Sequence, residues 1–90
     1  MKEEEIILKY CKHISINGNK YLALGYFAMV GKAIAICADE LVPLFSRMQK
    51  EGEIINSVEF FNGDDLLLSK RGKYVVDNIS GIDIELYPVN

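Results

Sequence analysis

The chain has 90 residues, half of them hydrophobic, and a formal net charge of −3. That length sustains one modest core, so residues 1–90 are read as a single domain, and the acidic balance argues against a protein that lives on nucleic-acid phosphates. No run of about 18 apolar residues offers a membrane span, and an apolar share this high in so small a protein points to a self-interface.

The start, Met1-Lys2-Glu3-Glu4-Glu5, has the wrong charge for a secretory leader, and the protein is expected to be cytoplasmic. Cys11 and Cys37 form no CxxC pair, and a cytoplasmic setting keeps both as reduced, core or half-buried thiols.

Ile6 to Ile16 reads as a strand, with Ile6, Leu8, Tyr10, Ile14 and Ile16 on an apolar face that Lys12 interrupts. Asn17-Gly18-Asn19 is the strongest hairpin signal in the chain, because Asn and Gly tolerate the positive φ of a primed turn. Tyr21 to Val30 follows as a strand that is apolar on both sides, Tyr21, Ala23 and Phe27 against Leu22, Leu24 and Tyr26. Such a strand fits a central position, a barrel wall or an oligomer contact. Gly25 in its middle predicts a bulge or a close backbone approach. After Gly31-Lys32 a short strand covers Ala33 to Cys37.

Leu41, Leu44, Phe45 and Met48 recur at helical spacing, with Asp39 as the expected cap, Pro43 in the first turn and Gly52 as the stop. Strands resume at Ile54 to Phe61, Leu66 to Ser69 and Tyr74 to Val76, with turns at Asn62-Gly63-Asp64-Asp65 and Lys70-Arg71-Gly72-Lys73. In the last strand Ile82, Ile84 and Leu86 alternate with Asp83, Glu85 and Tyr87, and the acids suit an edge. The expected fold is mostly β, a small barrel or roll, with at most one α-helix near residues 39–51.

Cys11-Lys12-His13 places a thiol and the single imidazole two apart, on the same side of a strand. With Cys37 they fall short of the four ligands a structural zinc site wants, so no metal or other cofactor is assigned. Asp64-Asp65 is the best carboxylate pair, and a turn uses such acids for local hydrogen bonds. No catalytic set is assembled, and the chain is read as a non-enzyme. The one concentrated basic stretch supplies the phosphate-binding candidates Lys70, Arg71 and Lys73, with Lys9, Lys12, His13 and Lys20 as a second strip. Of Tyr10, Tyr21, Tyr26, Phe27, Phe60, Phe61, Tyr74 and Tyr87, at least half are expected in the core. Tyr26, Phe61 and Tyr87 are the interface candidates.

Two stretches resemble the β-barrel second domain of translational GTPases of the elongation factor Tu type. Ile14-Ser15-Ile16-Asn17-Gly18-Asn19-Lys20-Tyr21-Leu22-Ala23-Leu24-Gly25 is similar to that family's opening hairpin, a glycine turn followed by an apolar strand ending in glycine. Ser57-Val58-Glu59-Phe60-Phe61, then Gly72-Lys73-Tyr74-Val75-Val76 and Ile79-Ser80-Gly81-Ile82, resemble its later strands, and together these cover about half of the chain. Asn19-Lys20 stands where the family has Arg-Gly. Ala38-Asp39-Glu40-Leu41-Val42 alone matches its "VGDEV" stretch, and only if that segment is not helical. The resemblance implies a barrel with an RNA- or protein-facing surface and no GTP chemistry.

The leading expectation is a freestanding, self-associating binding module for a protein or ribonucleoprotein. The alternatives are an oligomeric protein, such as a mobile-element inhibitor, that captures a nucleotide-like ligand at a subunit interface, and a small hydrolase or isomerase using His13 and nearby acids.

Overall fold

The computed structural model describes residues 8–89, so the expected strand start at Ile6 and the acids Glu3 to Glu5 lie outside the described residues. The elements run β1 Lys9–Ile16, β2 Asn19–Val30, β3 Ala33–Cys37, a 3₁₀ turn Asp39–Leu41, α1 Val42–Glu51, β4 Ile55–Asn62, β5 Asp65–Ser80 and β6 Asp83–Pro88. Every strand pair is antiparallel, and the sheet closes on itself in the order β1-β2-β3-β6-β5-β4. The mostly β, barrel-like fold with one helical segment over 39–51 is the one the sequence predicts. Closure pairs β6 with both β3 and β5, so Asp83 and Glu85 guard no edge. Ile82, expected beside Ile84 and Leu86 in the core, is exposed in the turn before β6.

The first turn shows how sequence chemistry sets this closure. Asn17 and Gly18 both take positive φ, 52° and 86°, as a primed hairpin turn requires. The Asn17 side chain then reaches β4. Its Oδ1 accepts from the backbone N–H groups of Asn56 (2.7 Å) and Ser57 (3.4 Å), and its Nδ2 donates to the Ile54 carbonyl at 3.3 Å. Its own backbone N–H donates to the Ser57 carbonyl at 3.0 Å. One turn residue therefore fastens the β1–β2 hairpin to the β1–β4 seam.

Gly25 answers to a close approach. A Cβ there would collide with the Cys37 carbonyl and press on Ala38, where the chain leaves β3 for the helical segment. In β1 the register to β2 shifts between Cys11 and His13, and the inward set passes from Cys11 to Ile14 and Ile16. Lys12, the break in the apolar alternation, marks the place where the phase changes.

Leu41, Phe45 and Met48 fall on one side of the helical segment and are buried. Pro43 sits in the first turn of α1, and Gly52, at φ 67°, ends it with its N–H on the Gln49 carbonyl. Asp39 does not cap α1. A 3₁₀ turn intervenes, and neither start carries a side-chain cap. Because the segment is helical from Asp39 onward, Ala38 to Val42 gives no support to the translation-factor correspondence.

The core gathers Ile14, Ile34, Ile36, Phe45, Ile55, Val58, Ile84 and Leu86, all at or near zero exposure. Phe27 of β2 and Phe60 of β4 stack there with ring centroids 4.0 Å apart. Among the eight aromatics singled out above, Phe27, Phe60 and Tyr74 are buried, Tyr21 and Phe61 are half-buried, and Tyr10, Tyr26 and Tyr87 are exposed. Fewer are fully buried than expected, because branched aliphatics fill most of the narrow interior.

The basic run Lys70 to Lys73 is not a turn. It lies inside β5, one strand of 16 residues. Gly72, at φ 148°, adopts a backbone that L side chains rarely reach, at the corner where the β4–β5 register shifts between Arg71 and Tyr74, just before β5 takes up its ladder with β6 at Tyr74. The glycine signal was real, and it bends a strand rather than reversing the chain.

Candidate functional site

The double apolar character of β2 resolves into two unlike faces. Ala23 and Phe27 are buried inward, while Leu22 keeps 62% and Leu24 50% of their exposure on the outside, with Tyr26 also open to solvent. On the neighbouring strand Tyr10 pairs with Tyr26, the two rings meeting edge to face at 5.4 Å, and exposed Leu8 precedes β1. Fully burying an exposed leucine side chain stabilises by about 1.5–3 kcal/mol, and here three leucines and two tyrosines lie contiguous and part-exposed.

Antiparallel partners share a face, so the ladders map what surrounds this set. One row runs Phe61–His13–Leu22 across β4, β1 and β2. A second runs Tyr10–Tyr26–Cys37–Asp83 across β1, β2, β3 and β6. A third places Ala28, Ala35 and Glu85 side by side. Lys20 lies across from Ser15, beyond Leu22, with its Nζ 4.1 Å from the centroid of the Phe61 ring. The Glu40 carboxylate accepts the Leu24 backbone N–H at 3.2 Å, where β2 has run past the end of β3.

At the β3–β6 end of this face lies a groove of about 200 Å³, lined by Leu8, Tyr26, Ala35, Cys37, Asp83 and Glu85, among others. Burial, and then the hydrogen-bonded and negatively charged Asp83 beside it, raise the Cys37 thiol above its ordinary value. Cys37 is accordingly a neutral thiol at neutral pH rather than a nucleophilic thiolate.

Cys11 and His13 do not share a side. Cys11 is fully buried and pushed up to about 11 by that burial, while the shift in register leaves His13 on the outer row between Leu22 and Phe61. The His13 Nδ1 atom is buried with no hydrogen-bond partner among the described residues. No cluster of three or more His, Cys, Asp or Glu able to hold a metal ion occurs among the described residues.

The other predicted positions are dispersed. Lys70 is half-buried across from Val58, whereas Arg71 pairs with Ser57, so consecutive residues of a strand send these two cations to opposite faces. Lys73 is exposed one residue past the Gly72 corner. Of the interface candidates, Tyr26 stands in the apolar face and Phe61 at its margin. Tyr87 is on β6, paired with Val75 and across the ring from β1. Sequence reading missed Leu22, Leu24, Tyr10 and Leu8 as site residues, although the two-sided apolarity of β2 was the signal for Leu22 and Leu24. Comparison with family models, with curated proteins and with solved structures finds no match to this chain.

Proposed function

We propose that the chain is a freestanding binding module that self-associates through the outer face of β1 and β2 and contacts a protein or ribonucleoprotein partner. The observation that carries this reading is the exposed set Leu8, Tyr10, Leu22, Leu24 and Tyr26, contiguous on one outer face and covered by no other element among the described residues. A wall this apolar, on a strand already packed on its inner side, is the surface a second protein surface would shield from water. The reading assigns no reaction to the chain and a cytoplasmic setting. No helix among the described residues is long and apolar enough to cross a membrane. The resemblance of Ile14 to Gly25 to a translation-factor barrel motivates the ribonucleoprotein half of the proposal.

Sedimentation equilibrium of the wild type and of a Leu22→Asp/Leu24→Asp double variant tests it, with circular dichroism to confirm folding. The expected result is a dimer or higher oligomer for the wild type and a folded monomer for the variant. A wild type that is monomeric at 100 μM concentrations and above would refute the self-association.

A further inference from the structure

β5 outruns its neighbour on one side. Its ladder with β4 spans residues 65–74, but its ladder with β6 begins only at Tyr74, and the Val89 N–H donates to the Lys73 carbonyl at 2.7 Å just beyond it. Over residues 66–72 the far side of the strand has no ladder partner among the described residues. Backbone N–H and C=O groups left open along such an edge are a template for an added strand. Leu66 is exposed and Leu67 and Leu68 are half-buried, and the basic run Lys70, Arg71 and Lys73 follows them along the edge. Two acids belong to this stretch. Asp65 lies at the β4–β5 turn, and the Glu59 carboxylate, across from Ser69, already accepts the Ser69 hydroxyl at 3.2 Å.

We propose that this edge of β5 takes an extended peptide of a protein partner as an added strand, with apolar side chains along Leu66 to Leu68 and carboxylates along Lys70, Arg71 and Lys73. The consecutive cations Lys70 and Arg71 face opposite sides of their strand. An added strand alternates its side chains in the same way, so consecutive acids meet both cations. A nucleic-acid backbone laid on one side would meet only part of the set. Cations on an edge also turn away strands that carry cations, which makes this edge selective for acidic ones. The proposal rests on the partner half of the reading above, to which it adds a surface and a chemistry, and it is independent of the β1–β2 self-interface.

The experiment titrates the ¹⁵N-labelled full chain with an acetylated, amidated eight-residue peptide, β-branched apolar residues in one half and glutamates in the other, and follows backbone amide shifts. Saturable shifts along residues 66–73 are expected. Lys70→Glu and Arg71→Glu are each expected to weaken binding at least about tenfold, because like charges would then face one another. Circular dichroism confirms folding, and Lys70→Gln takes the place of Lys70→Glu if the half-buried site rejects the acid. The same peptide with lysines for glutamates, or with an N-methylated backbone, is expected to leave these amides unmoved. Absence of shifts at residues 66–72 with millimolar peptide overturns the proposal. A loss confined to one of the two charge variants does so too, because contact with one side only is not strand addition. Shifts at residues 66–72 on dilution without peptide would name a second copy as the occupant and overturn it. Shifts caused by an eight-nucleotide oligouridylate and not by the peptide overturn it as well, and leave the ribonucleoprotein half of the reading above standing.

Discussion

Replacing Asn17 with alanine removes both the residue that favours the left-handed turn and three side-chain hydrogen bonds to residues 54, 56 and 57. Each such bond contributes about 0.5–1.5 kcal/mol net, so urea unfolding of Asn17→Ala should show a loss of about 2–3 kcal/mol. Asn17→Gly keeps the positive φ and should lose less, which separates the turn from the seam. Equal losses for the two variants would mean that the left-handed backbone contributes nothing. At Gly25 a methyl group must displace the Cys37 carbonyl, and Gly25→Ala should destabilise by at least about 1–3 kcal/mol. Cys11 sets a pH dependence. Its thiol ionises near 9.0 when unfolded and near 11 when folded. Above pH 9 the unfolded chain therefore releases a proton that the folded chain still holds, and stability falls as pH rises from 9 toward 11. The Cys37 thiol, also raised, adds to the same slope. In Cys11→Ala the fall above pH 9 should be shallower than in the wild type, and an unchanged slope would assign it to other groups.

At the scale of elements, the helical segment is held by Leu41, Phe45 and Met48 more than by its caps, since neither of its starts has a side-chain cap. Phe45→Ala should therefore cost about 3–5 kcal/mol by thermal or urea unfolding, a core-sized loss from a ten-residue helix. The hairpin at Asn17-Gly18, the short β3 and the helix ended by Gly52 were legible because each rests on local chemistry: a primed turn, an apolar run between turns, a left-handed stop. The phase change in β1 and the corner in β5 were not. A residue pattern reports periodicity but not the partner strand, and a register shift or a bent strand exists only against a partner. Gly72 looks the same in sequence whether it reverses the chain or bends it, and pairing on both sides decides. The candidate site was half legible for a related reason. An apolar residue reads alike whether it faces the core or an open outer wall, so the sequence left a central position, a barrel wall and an oligomer contact open for Leu22 and Leu24 until the barrel closes.

For the molecule as a whole, closure of the ring leaves side-chain faces and the overrun of β5 as the surfaces for association. The barrel has unlike sides: an apolar face over β1 and β2, and a β5–β6 side that carries Tyr87. The first of these is the proposed self-interface. The most direct test is a dilution series of ¹⁵N-labelled protein followed by backbone amide chemical shifts. Concentration-dependent shifts are predicted at residues 8–13 and 20–26, with smaller ones at Asp83 and Glu85 and none at Val75 or Tyr87. Shifts confined to Val75 and Tyr87, or no shifts at any concentration, would contradict it.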